Sequence, residues 1–127
     1  MFDDTKLFAT VAVRSRETAK EFYEGKLGLK RVEENPRALV YETGGGNLLV
    51  YESPANAGSS QATVAAWDVT DHEELKKVVK AMKNKDIEFL TYDTPGLTWE
   101  DGIAAMGEIH IAWFKDLDGN VFSIGTP

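Results

Sequence analysis

The chain has no cysteine, which removes disulfides, thiolate metal ligation and a cysteine nucleophile from consideration. It has only two histidines, His72 and His110. Positive charge is also scarce: 14 Lys and Arg stand against 21 Asp and Glu, a formal charge of −7. Such a balance repels a phosphate backbone unless the few cations cluster, so nucleic acid is not an expected partner. No stretch approaches the roughly 18 consecutive apolar residues of a membrane span. The opening Met1-Phe2-Asp3-Asp4-Thr5-Lys6 lacks a basic segment leading into an apolar run. A cytoplasmic protein without membrane contact is expected. What the chain does have is 43% hydrophobic residues in a length of 127, enough for one core and too little for two independent ones, so one domain over residues 1–127 is expected.

Read in order, Leu7 to Val13 is apolar on both parities and rich in strand formers, and it gives way to the polar Arg14-Ser15-Arg16-Glu17. Ala19, Phe22, Tyr23 and Leu27 then recur at helical spacing, with Gly28 as a C-terminal stop. Three short strands are predicted around 30–33, 37–42 and 47–52, separated by Asn35-Pro36 and Gly44-Gly45-Gly46. After the Ser53–Gln61 loop the pattern restarts with Thr63-Val64-Ala65-Ala66-Trp67. Asp71 and Glu74 have the form of a capping box, and Leu75, Val78, Val79 and Met82 follow at i, i+3, i+4 and i+7. A strand near 87–92 comes next, followed by a long loop carrying Pro95, Gly96, Trp99 and Gly102. Strands at 109–115 and 120–124, around the Asp118-Gly119 turn, complete the chain.

Each half, about 5–52 and 62–126, therefore reads βαβββ, and Val13 lies over Val69 when the halves are superposed. A ferredoxin-like α+β domain has a similar element order, but the internal repeat favours two equivalent halves. Three phrases carry a family resemblance. They are Phe22-Tyr23-Glu24-Gly25-Lys26-Leu27-Gly28, Leu48-Leu49-Val50-Tyr51-Glu52, and Trp113-Phe114-Lys115-Asp116-Leu117-Asp118-Gly119-Asn120, the last with Leu117 where proline is usual. Together the chain resembles the glyoxalase/bleomycin-resistance/dioxygenase (vicinal oxygen chelate) superfamily. The resemblance implies an α+β fold in which two βαβββ repeats form a curved, cup-shaped mixed sheet with helices on its outer face.

Metal-using relatives place His or Glu on the first and fourth strand of each half. The resemblance puts Phe8, Leu49, Val64 and Ser123 at those positions, so neither a metal nor another cofactor is expected. Strand alternation sends Glu52, three residues past Leu49, to the opposite face. The same alternation points Phe8, Thr10, Leu49, Tyr51, Val64, Ala66, Asp68, Val121 and Ser123 into the cup, and Val11, Val50, Trp67 and Phe122 toward the helices. Trp99, in its Gly/Pro-containing loop, and His110 on the penultimate strand complete the candidate ligand-binding set. His72, in the first turn of the second helix, reads as solvated, and Trp113 as core or subunit interface. Gly44-Gly45-Gly46 has no following Lys-Ser/Thr and reads as a hairpin turn. Glu33-Glu34 and Glu100-Asp101 read as solvated charges.

An apolar cup with a few polar groups suits a small organic molecule. The resemblance implies a metal-independent binding protein, similar to the drug-sequestering bleomycin-resistance branch in lacking the usual metal ligands, with a net charge suited to a cationic or aromatic compound. The alternative is a lyase, isomerase or dioxygenase of the same superfamily with an unconventional or absent metal site. Asp68, Tyr51 and His110 would be its acid/base candidates. The resemblance also implies a homodimer, which is compatible with either reading.

Overall fold

The computed structural model describes all 127 residues. The first apolar run forms β1 (Ala9–Val13), whose last three residues are buried. The chain then enters α1 (Arg16–Lys20) through Ser15, which makes no side-chain cap. The missing cap is supplied from a distance, because the Arg16 N–H donates to Glu52 Oε1 at 3.0 Å. The helix widens into a π turn over Glu21–Lys26 and ends at Gly28, whose φ of +69° suits the one residue without a Cβ. Strands β2 (Lys30–Glu34), β3 (Ala38–Glu42) and β4 (Asn47–Glu52) follow. They order as β1-β4-β3-β2, with β1 and β4 parallel and the other pairs antiparallel.

The second half repeats the plan with β5 (Thr63–Asp68) and α2 (His72–Lys83). Asp71 accepts from the Glu74 N–H at 2.9 Å, as a capping box requires, while Glu74 reaches one residue further back to the Thr70 N–H at 2.6 Å. That hydrogen bond holds the Glu74 carboxyl below its usual range. Leu75, Val79 and Met82 are buried on the core side of the helix. Beyond α2 the outcome departs from the simple repeat. The strand expected over 87–92 shrinks to β6 (Phe89–Leu90), and the expected long loop contains a hairpin, β7 (Thr98–Glu100) and β8 (Ile103–Met106). Asp101 and Gly102 form its turn at φ +54° and +81°, a two-residue hairpin geometry that a Gly-based turn permits. β6 and β8 flank different stretches of β9 (Ile109–Lys115), and β10 (Val121–Gly125) closes the order β5-β10-β9-β8-β7.

Both helices lie on one side of the two sheets. Val11, Val50 and Phe122 are buried there with Tyr23 and Leu75, and Trp67 packs against them half-buried, as alternation predicted. This cluster draws on both halves, so they share a core. Its interior is aromatic: Phe122 lies 5.4 Å from both Trp67 and Phe114. Burial of such rings removes a large apolar area from water and stabilises the fold. No helix is long and apolar enough to cross a membrane.

The free edges of the sheets, β1 and β5, run beside one another without pairing. One end of this seam is tied by a buried network around Asp116. Tyr23 Oη donates to Asp116 Oδ2 at 2.6 Å, and Asn120 Nδ2 donates both to that oxygen and to the Ala12 carbonyl, each at 2.8 Å. The N–H groups of Asp118 and Asn120 donate to Asp116 Oδ1. Asp118 in turn accepts from the Arg14 N–H at 2.9 Å. Gly58 closes the same corner, donating to Asn120 Oδ1 at 3.1 Å. Its φ is +65°, and any Cβ there would collide with the Asp118 carbonyl.

Candidate functional site

The face away from the helices follows from strand register. Residues paired across neighbouring strands share a face. In the first half Thr10 pairs with Leu49, and Tyr51 pairs with both Ala12 and Ala38. Ala12, Ala38 and Val40 are buried, Leu49 and Tyr51 are half-buried, and Thr10 is exposed, which gives a small-residue apolar floor with a phenol and a hydroxyl on it. Glu52 pairs with Val13 on the helix face, where it caps α1, in agreement with the parity argument against it as a metal ligand.

In the second half one row across the sheet runs Ala66, Ser123, Trp113, and the next runs Asp68, Gly125, Ile111. Gly125 leaves the space between Asp68 and Ile111 open at that row, and a Cβ there would sit 3.5 Å from Ile111 Cγ1. Asp68 is exposed and enters no ion pair. Trp99 is not in a loop, as expected from its Gly/Pro surroundings, but on β7, where its partner is Ala104 and, through Ala104, Ile111. Trp99 therefore stands against Trp113 with ring centroids 5.9 Å apart, and Tyr92 meets Trp113 edge-on at 5.1 Å. The three rings form an aromatic wall on the face that carries Asp68 and Ser123.

Two members of the candidate set are set apart. Val121 shares the Ser123 face by its pairing with Lys115 but is 3% exposed, and the β5–β10 register shifts beside it, so it serves as floor rather than contact surface. His110 lies two residues from the core residue Ala112 and therefore on the helix side. Its ring stacks on that of His72 at 3.7 Å and 9°. Its grouping with the cup residues is corrected on that ground: every position from Ile109 to Lys115 except His110 and Lys115 is apolar, so the sequence offered no alternation by which to orient this strand. The same masking hid Trp113, which is the centre of the aromatic wall rather than core.

Phe8 precedes β1 and is 37% exposed, with Lys6 Nζ 5.6 Å from its ring centroid. It borders a cavity of about 550 Å³ at the untied end of the seam, together with Ala66, Asp68, Trp67 and the Gly44–Gly46 turn. The turn is the hairpin expected from its sequence, and it also walls this opening. Val64 lies on the same strand as Ala66 and Asp68 and is half-buried against the core. No group of three or more His, Asp or Glu side chains is arranged so that it could hold a metal ion.

Solved structures share this architecture. A glyoxalase family protein from Enterococcus faecalis is 19% identical, with 98% of this chain and 99% of that one covered at a TM-score of 0.71. A lactoylglutathione lyase from Agrobacterium tumefaciens is 14% identical over 97% and 93% of the two chains at 0.70. A genomically encoded fosfomycin resistance protein from Listeria monocytogenes is 13% identical over 95% and 91% at 0.72. At these identities the likeness is one of fold. No curated protein sequence matches the chain. Residues 7–124 match the family model of the Glyoxalase/Bleomycin resistance protein/Dioxygenase superfamily, and the chain belongs to that superfamily.

Proposed function

We propose that this protein binds a small aromatic or cationic organic compound on its concave face without the aid of a metal. The observation that carries the reading is the wall of Tyr92, Trp99 and Trp113 on the same face as the unpaired carboxylate of Asp68 and the Ser123 hydroxyl. Indole faces attract a cation or stack with a flat ring, while a carboxylate and a hydroxyl fix orientation. The net charge of −7 raises the local concentration of cations around the molecule. By the family resemblance, Phe8, Leu49, Val64 and Ser123 stand where metal-using relatives carry ligands. Three of these are hydrocarbon side chains, and one hydroxyl does not make a divalent site. The residues present do not fit a metal. A cytoplasmic location and a homodimer complete the proposal.

The test is calorimetric titration with flat aromatic cations and their uncharged isosteres. Micromolar binding is expected for the cations, with Trp113→Ala weakening both series by about tenfold and Asp68→Asn weakening only the cations. Binding that ignores Trp113→Ala, or equal affinity for cation and isostere in both Asp68 forms, would overturn the assignment.

A further inference from the structure

A second cavity, of about 390 Å³, lies on the other side of the sheets, in the crevice between the two helices. Leu27 and Leu29, at the end of the first helical segment, form one wall, and Val78 and Met82 of α2 form the other. Trp67 lies at its floor. Leu27, Leu29, Trp67 and Val78 are each only half-buried, so a continuous apolar surface remains open between helices that otherwise share a core. In the last turn of α2 the lining residue is Ala81, too short to close the crevice. Two lysines, Lys26 and Lys85, also line it, both exposed and neither in an ion pair. Asp68, at the end of β5, is the only acidic residue on the lining.

We infer that this crevice is a second ligand site, for a single-chain amphiphile with a carboxylate head, such as a medium-chain fatty acid. The lining explains each part of that ligand. Aliphatic walls with one methionine accept a flexible chain. Two unpaired ammonium groups in a chain of net charge −7 provide a local positive spot for the head. The volume is at the lower end of the roughly 300–1,000 Å³ of small-molecule sites, which suits one tail rather than two. The site lies behind the sheet from Trp113 and Ser123; it meets the proposed concave site only at Asp68, at the end of β5, and has the opposite charge preference.

The experiment is calorimetric titration of the intact protein with hexanoate, octanoate, decanoate and dodecanoate below their micellar range, and with decyltrimethylammonium. Affinity is expected to rise about fourfold per methylene and then level off as the crevice fills. Decanoate should bind more tightly than the ammonium amphiphile. Ala81→Trp, at an exposed helix position, should abolish decanoate binding. The surface pair Lys26→Gln with Lys85→Gln should weaken it by about tenfold. Trp113→Ala should leave it unchanged. Decanoate binding lost in Trp113→Ala but kept in Ala81→Trp would place the amphiphile on the concave face and overturn the inference. Absence of chain-length dependence, or preference for the cation, would also overturn it.

Discussion

The two ends of the seam between the halves are related by the internal repeat, yet they are built differently. At one end the 116–120 turn is bound to β1, the π turn after α1 and the 53–61 loop through the carboxylate of Asp116, the amide of Asn120 and the phenol of Tyr23. At the other, the corresponding turn is Thr43-Gly44-Gly45-Gly46, which carries no side chain able to cross the seam, and a cavity of about 550 Å³ takes the place of the network. A repeat duplicates backbone, and side chains then decide which copy becomes a joint and which becomes an opening. The buried end carries its polar groups satisfied, so it resists change. The open end tolerates change in stability and is sensitive to it in binding.

The largest effect expected from this contrast is that of Asp116→Ala. It leaves the Tyr23 hydroxyl, one of the two Asn120 amide donations and two backbone N–H groups without their acceptor, at a cost of about 4 kcal/mol, read by urea unfolding. An unfolding midpoint close to that of the parent protein would show that the network does not hold the halves together.

A smaller loss, about 1.5 kcal/mol, is expected for Tyr23→Phe, which removes one charge-assisted donor and keeps the ring in the core. This variant also has a pH signature. Burial first, then the charge and hydrogen bond of Asp116, raise the Tyr23 phenol well above its ordinary value of 10.0. The folded protein therefore holds that proton more tightly than the unfolded chain does. The resulting stabilisation is complete below pH 10.0 and is lost as the pH rises from there through the folded value. Parent and variant should converge in stability on the alkaline side. A constant difference up to strong alkali would contradict the assignment.

The smallest stability effect belongs to the open end. A Cβ on Gly45 meets nothing within 4 Å, and Gly45→Ser should change stability by less than about 0.5 kcal/mol in the same unfolding experiment. A loss comparable with that of Tyr23→Phe would mean that the two ends are not as different as their contacts indicate.

Much of the fold was legible from local chemistry. The Asp71/Glu74 cap, the apolar spacing of α2, the Gly28 stop and the parity that sends Glu52 behind the sheet all depend on interactions between neighbouring residues or on a fixed period of two. The β7–β8 hairpin was less so, because Pro95 and Gly96 mark a loop strongly while Asp101-Gly102 marks its turn only once the flanking residues pair. The concave site was half legible. Alternation oriented the residues of β1, β4, β5 and β10, but the almost continuously apolar β9 gave no parity, so Trp113 and His110 were read without an orientation. The Asp116 network joins residues as far apart as Tyr23, Arg14 and Gly58, a convergence with no local signature in the chain.

The concave face is proposed to bind its ligand without a metal. The most direct test is the metal content of purified protein after loading with Zn, Ni, Mn and Fe(II) and desalting without chelator. Far less than one metal per chain is expected for each ion. Retention of about one per chain that survives His72→Ala with His110→Ala, and so lies away from the stacked imidazoles on the helix side, would contradict it.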